Sequence, residues 1–551
     1  MKQPFTRALA LLLCTGLICG AASMPVSAAE GESRRPAAFD RILYSVEDIL
    51  LKGLLWVIDA LIPARIPRGY KTGTDFYPGM ERFLDQPANG AGWKLGYARA
   101  SLIPEGLFDP ETRRYIGPND VYVGGAPKGE DPQRPLIDRK NPTLLLDDMC
   151  VRATALGDGS GRGSVVFASL DAYALTSRDA RVIRAMLEDF ARQNQLVSIN
   201  IGVLHQHSCI DTLGFNGPLL GGLFVNPWAN LLGLKRPYYG KNPAFMDNLY
   251  KTVADTIKNA VRAMEPGRLY YGAATAKDWI HDKREPKVMD SEMHRLRFVP
   301  NNKNSRETWL LNLGSHCVGL DADTQKISGD FPYYIEERVN RQYRANFQMV
   351  LSGQLAINKS NHHLPSGERT QMETITKYGY MVADHIAQIK NEINLKPLLN
   401  IRHSEYRIPV DNLLHLFLFR SGMVDSTGVK RGWIGPGMDL ITETGYMELG
   451  DSLAVALAPG EIDPILYLGG ASPAAEAFTG KDFLFTPMKD MVRGGRKFLM
   501  FGVMNDHSGY ILPPNDIQNF ALFGNEELNC ASAKSAQCLL EAFKGLTDSV
   551  K

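Results

Sequence analysis

From about residue 70 to residue 400 the chain alternates strand-like and helix-like stretches, and this alternation most narrows the folds open to it. SVVFASLDAYAL (164–175) reads as a buried strand. SRDARVIRAMLEDFARQN (177–194) reads as a helix, with Ser177 in position to cap it and Asp179 in its first turn. VSINIGVLHQH (197–207) is the next strand. AFMDNLYKTVADTIKNAVRAM is a long amphipathic helix, RLYYGAATA and TWLLNLGSHC are strands, and DFPYYIEERVNRQY is a helix. Apolar strands separated by helices predict an α/β fold, with mixed sheets flanked by helices. After LKPLLN the texture becomes richer in β structure, with IRHSEYRIPV, SLAVALAPGEI and RKFLMFGVMN as strands. The expected division is therefore a main α/β unit over 70–400 and a β-rich part over 401–551.

The N-terminus has the layout of an export signal. Lys2 and Arg7 precede the apolar run ALALLLCTGLICGAA, and Val26 and Ala28 fit a small-residue cleavage site after residue 28. A periplasmic or secreted protein is expected. A leader follows, and ILYSVEDILLKGLLWVIDALI (42–62) has apolar residues at helical spacing, interrupted by Glu47, Asp48, Lys52 and Asp59. Those charges argue against a membrane span. Within this 29–69 region the helix either packs on the main unit or rests on a membrane surface through its apolar stripe and Trp56.

Composition removes other classes. The formal charge is +1 and no basic, aromatic-interleaved stripe occurs, so nucleic acid is not expected as a partner. GDGSGRG (157–163) lacks the Lys-Ser/Thr of a phosphate loop and reads as a turn between strands. Seven cysteines are present, two of them inside the signal. In an oxidising compartment Cys530 and Cys538, which close a short polar loop, are the expected disulfide.

The chemistry-bearing residues lie at strand ends. Residues two apart in a strand share a face, so His205 and His207 can point into one site. His316 ends a second strand, 111 residues further on. A metal site built from them would have to be assembled by the fold, as happens at the strand ends of α/β sheets.

These stretches resemble the neutral/alkaline non-lysosomal ceramidase family. HQHSC echoes that family's His-Thr-His-Ser-Gly-Pro-Gly stretch at His205, His207 and Ser208. SHCVGLDADTQKISGDFPYYIEE matches a second histidine segment through Ser328-Gly329-Asp330. LAVALAPGEI supplies Glu461 in a Pro-x-Glu stretch, and NDHSGYILP supplies Tyr510 in the place of a tyrosine ligand. The matches keep their order over about 90–515. The resemblance implies a ceramidase-like catalytic domain with a Zn2+ site of His205, His316, Glu461 and Tyr510. His207 would bind substrate or shuttle a proton, and His507, standing where relatives have a different residue, is a further imidazole that could reach the metal. It also implies hydrolysis of an amide in an N-acyl lipid such as ceramide. An esterase or amidase acting on another envelope substrate, or a non-catalytic lipid- or metal-binding protein, are the alternatives.

Two departures bear on mechanism. The family's Gly-Asp-Val-Ser-Pro-Asn segment corresponds to AINKSN, where Lys359 takes the serine position and Ser360 is one residue off, leaving Ser360 as the candidate nucleophile. Cys209-Ile210-Asp211 replaces Gly-Pro-Gly. Cys209 and Cys317 flank the expected ligands, either as a disulfide across the site or as buried thiols, and an oxidising compartment favours the disulfide.

Overall fold

The structure is a computed structural model. It describes residues 66–125, 140–218, 232–320, 324–367, 369–432, 437–517 and 529–550, with parts of 46–57 and 221–229. The expected signal peptide and the leader up to residue 45 lie outside the described residues. Among the described residues no helix is long and apolar enough to cross a membrane.

Two sheets organise the molecule. The larger one contains β1 (Lys94–Ser101), β2 (Cys150–Gly157), β3 (Ser164–Leu170), β4 (Leu196–Val203), β5 (Glu265–Thr275), β6 (Glu292–Pro300), β7 (Thr308–Leu313) and β8 (Asn346–Leu351). Their spatial order is β8-β7-β6-β5-β1-β2-β3-β4, and the short strand Ile393–Asn394 pairs with β5. Most neighbours are antiparallel, but β3/β4 and β7/β8 run parallel. The smaller sheet contains β9 (Leu399–Val410), β10 (Met438–Leu449), β11 (Leu453–Leu457) and β13 (Lys497–Phe501), in that order, with β11/β13 parallel. Two further short strands, β12 (Glu461–Ile462) and β14 (Tyr510–Ile511), pair in parallel. GDGSGRG forms the turn between the antiparallel β2 and β3, as its composition predicts.

Alternation along the strands assigns each side chain to a layer. In β3, Val166, Ala168 and Leu170 join a core shared with helices, whereas Val165 and Phe167 face the other sheet. In β11, Leu453, Val455 and Leu457 face the larger sheet, whereas Ala454 and Ala456 turn outward. The outer layer over the larger sheet is α2 (Pro243–Arg262), α3 (Asp330–Gln342) and α4 (Gln371–Ala387), with α1 (Ser177–Met186) beside them. A C-terminal helix, α6 (Ser535–Asp548), covers the smaller sheet, and α5 (Leu413–Ser421) lies at its end. The chain is thus a mixed α/β structure, two packed sheets with helices outside. The core between the sheets draws residues from both sides of residue 400, from Met80 to Met504.

The larger sheet also curls. The Gln348 amide of β8 donates to the carbonyls of Arg152 in β2 and Phe167 in β3, each at 3.0 Å, although these strands lie far apart in the sheet order. The curl brings the ends of β4 and β7 toward each other.

Three local expectations change. Thr176, not Ser177, caps α1. Its hydroxyl accepts from the Asp179 N–H while the Asp179 carboxylate accepts from the Thr176 N–H at 2.8 Å, a reciprocal pair that Ser177 cannot make from inside the helix. Strand β4 stops at Val203, so His205 and His207 sit in the loop beyond it. Among the described residues no disulfide joins any of Cys150, Cys209, Cys317, Cys530 and Cys538. Cys530 packs with Leu512 and Ile517, while Cys538 packs on the Ile408 cluster, so the two point into different cores. The Cys209 thiol donates to the Gln206 carbonyl at 3.2 Å and is not joined to Cys317.

Candidate metal centre

Every expected ligand lies just beyond the carboxyl end of a strand that has a parallel neighbour. His205 follows β4, His316 follows β7, Glu461 follows β11, and His507 and Tyr510 follow β13. Such ends leave backbone loops free to converge, which is where α/β sheets build ligand sites. Two of these strands belong to one sheet and two to the other, so the site sits on the seam between them.

Backbone contacts lock that seam. The Asn505 N–H donates to the Ile201 carbonyl at 2.7 Å, and the Asn505 side chain accepts from the Ile201 N–H at 2.8 Å. The Val503 N–H reaches the Gly460 carbonyl and the Ile462 N–H reaches the Gly353 carbonyl. A Cβ on Gly502 would lie 2.6 Å from the Gly353 Cα, so no side chain fits where the loops cross. Several non-glycine residues here have positive φ: His205 at 51°, Ala356 at 59°, Val503 at 52° and Asn505 at 64°. For β-branched Val503 this is a strained conformation that the surrounding contacts must hold.

His205, His316 and Glu461 are buried, and one donor atom from each lies within 4.8 Å of the others. His205 Nδ1 lies 2.8 Å from the Tyr173 carbonyl. A carbonyl only accepts, so Nδ1 carries the proton, and the lone pair of the neutral ring is on Nε2. That atom is buried, makes no hydrogen bond, and lies 3.1 Å from Glu461 Oε1. Two acceptors facing each other at that distance repel unless a cation stands between them. Burial, ahead of any neighbour, pushes the His205 pKa well below its ordinary value and keeps the ring neutral.

Glu461 Oε2 meets His316 Nε2 in a very short contact. Burial opposes charge on both groups. Even so, the carboxylate raises the His316 pKa, and the facing imidazoles hold Glu461 well below the usual carboxylate range. His507 Nε2 lies 3.3 Å from Glu461 Oε1, and its ring stacks on His205 at 5.2 Å. His507 thus touches the carboxylate but falls outside the tight three-donor group. Tyr510 is the backbone partner of Glu461 across β12/β14. It lines the same cavity as Tyr173 and His507.

The remaining sequence candidates are placed as follows. His207 sits edge-on to His205, ring centres 5.0 Å apart, and 6.5 Å from His316. The Ser360 hydroxyl accepts the His362 N–H at 3.2 Å, and its own N–H donates to the Trp279 carbonyl. This segment meets the site through Asn358, which bridges to His316 and hydrogen-bonds its ring. Sequence reading missed Tyr173, which fixes the His205 tautomer through its carbonyl and stacks on the ring at 4.5 Å. It noted Asp211 but not its role, since the buried carboxylate accepts the N–H groups of Leu213, Gly214 and Asn216, each at 2.9 Å. That turn presents Leu213 and Phe215 to the cavity, opposite Leu418 and Phe419 of α5.

A second group, Asp290, Glu292 and His294, also brings donor atoms within 4.8 Å. There both imidazole nitrogens are engaged, Nε2 by Asp290 and Nδ1 by the Tyr271 hydroxyl, each at 2.9 Å. Glu292 is paired with Lys497.

No family model matches the chain, and no curated protein matches it in sequence. Among solved structures it is similar to one described as a neutral ceramidase from Pseudomonas aeruginosa. The TM-score is 0.58 at 12% identity, covering 84% of this chain and 75% of that one. It is also similar to a structure described as a ceramidase complexed with C2, with TM-score 0.55 at 12% identity, covering 84% and 76%. The fold is therefore ceramidase-like.

Proposed function

We propose that this chain is an exported zinc-dependent hydrolase of amide bonds, acting on N-acyl lipids of the ceramide type. The observation that carries the reading is the facing of the His205 Nε2 lone pair and the Glu461 carboxylate at 3.1 Å in a buried site. Two imidazoles, a carboxylate and a phenol suit zinc, and His205, His316, Glu461 and Tyr510 would hold it. When bound, zinc supplies an acidified water and a polarised carbonyl.

The chain's own residues do the rest. Tyr173 orients His205 from behind, and His507 steadies Glu461 through Oε1. His207, beside the ligand group, hands a proton to the departing amine nitrogen. Leu213, Phe215, Leu418 and Phe419 offer an apolar wall next to His507 and Tyr510, which favours an acyl chain beside the scissile bond. With Lys359 at the family's serine position and the Ser360 hydroxyl engaged by His362, attack by water is favoured over a serine nucleophile.

The rebuilt Asp211 turn favours a second reading, in which the same centre cleaves an ester or another acyl amide. A panel of acyl amides and esters separates the two. For the main proposal, purified mature protein should carry stoichiometric zinc and release fatty acid from fluorescent ceramide. The His205→Ala/His316→Ala variant should lose both. A metal-free double variant with full activity ends the proposal.

A further inference from the structure

Gln206 stands between His205 and His207, and its side chain is buried in the interior. The three residues that follow β3 hold this loop in turn. The Tyr173 carbonyl accepts from His205 Nδ1 at 2.8 Å, the Ala172 carbonyl accepts the Gln206 backbone N–H at 3.1 Å, and Asp171 Oδ1 accepts from the Gln206 side-chain amide at 3.2 Å. The same amide nitrogen donates to the Gly329 carbonyl at 2.5 Å. Both partners only accept, so the NH2 group faces them and both its hydrogens are used. Gln206 Oε1 is left buried without a hydrogen-bond partner. An unmet buried acceptor costs stability, and such departures from local rules collect at functional sites. His205, next in the chain, is held at a φ of 51°, which its surroundings must enforce.

The anchor behind Gln206 is itself braced. Asp171 accepts the Cys150 N–H through Oδ2 and Arg152 Nη1 through Oδ1, each at 2.8 Å. Arg152 Nε and Nη2 both donate to Glu336 Oε2, at 2.8 and 2.6 Å. Glu336 lies on α3 and Gly329 immediately precedes that helix, so the contacts close a ring from Gln206 through Asp171, Arg152, Glu336 and α3 back to Gly329. Every side chain in the ring is buried, where low dielectric stiffens a polar network. A Cβ on Gly329 would lie 2.9 Å from the Asp148 carbonyl and 3.2 Å from Asp171 Oδ2, so glycine is what lets α3 begin this close to the loop.

We infer that Gln206 is a positioning residue: held by Asp171 and Gly329, it fixes the loop on which His205 and His207 stand. Its effect on the metal rests on the zinc reading proposed above, whereas the anchoring of the loop does not. Gln206→Met keeps the length of the side chain and removes its donors. In chelator, hydrogen exchange of the 204–207 amides, taken relative to those of β6, should speed at least about tenfold, the scale of the buried hydrogen bonds lost. Zinc affinity, read by competition with a chelator, should fall about 10–100-fold. At saturating zinc, kcat on an N-acyl amide should fall while KM holds, because the imidazoles shift and the apolar wall does not. Asp171→Asn leaves Arg152 paired with Glu336 and should move all three readouts the same way, which covers a Gln206→Met chain that does not fold. Glu448→Gln, in a buried pair with Arg493 that shares no residue with the ring, controls for lost stability. Its Tm should fall, with relative exchange at 204–207 and zinc affinity unchanged. Unchanged exchange at 204–207 in the folded variants overturns the inference. So does an equal rise in Glu448→Gln, or zinc affinity that stays at the value of a zinc-binding wild type. A wild type that binds no zinc refutes the zinc reading alone, and the exchange comparison then decides whether Gln206 anchors the loop.

Discussion

Two groups of histidine and carboxylate in this molecule bring donor atoms equally close, yet they differ in what those donors already do. At Asp290, Glu292 and His294, alternate residues lie at the start of β6 and just before it. The imidazole is bonded through both nitrogens and the glutamate has a lysine. At His205, His316 and Glu461 the donors come from three segments far apart in the chain, all are buried, and a lone pair faces a carboxylate. Proximity alone does not mark a metal site. A cation is wanted where a buried lone pair has been aimed at a carboxylate with no hydrogen between them, as at His205 Nε2 and Glu461.

The strongest way to break this contrast is to count metal. His205→Ala or Glu461→Gln should abolish bound zinc and reduce amide hydrolysis to background, while His294→Ala should leave metal content unchanged by elemental analysis. Loss of metal in His294→Ala alone would reverse the assignment. His507→Ala tests the support around the ligands. A group that only hydrogen-bonds a ligand typically costs about 10–100-fold in metal affinity or activity when removed, and competition with a chelator would read the affinity.

A third test compares Glu461 with another buried carboxylate. Among the described residues Asp147 accepts from the Ser328 hydroxyl, the Gly329 N–H and the Tyr334 hydroxyl and pairs with no cation. Burial, only partly offset by these donors, pushes its pKa up to about 7 from an unfolded value near 3.8. The folded state therefore favours the protonated form. This contribution to stability is complete below about pH 4 and is lost as the pH rises through about 7. Asp147→Asn should flatten the decline in Tm over that window, measured in chelator so that metal does not contribute. The smallest effect belongs to the second group. The Lys497–Glu292 pair is nearly half exposed, so Lys497→Met should cost no more than about 1 kcal/mol in denaturant unfolding.

The fold was legible where periodicity is strong. SVVFASL and LAVAL alternate between two cores, and the long 243–262 helix keeps its apolar stripe, so composition and spacing suffice there. The site was legible only through residue types at strand ends and their order along the chain. His205 and His207 were expected on one strand face. The chain leaves the strand at Val203 and turns through a positive φ, which spacing does not reveal. Tyr173 acts through its carbonyl, a group every residue carries. Asp211 acts by capping a turn. Neither role has a sequence period, since each depends on where a distant loop arrives. The cysteine pairings failed for the same reason, because closeness in sequence left Cys530 and Cys538 on different packing surfaces.

The seam has one more consequence. If the proposed metal binds, each sheet supplies two of the expected donor residues, and occupancy of the centre and the docking of the sheets become a single equilibrium. Each tenfold excess of free ion over its dissociation constant tightens that docking by a further ~1.4 kcal/mol. Metal supply would then govern this protein's lifetime as well as its chemistry, because a starved chain would let the two sheets part more often.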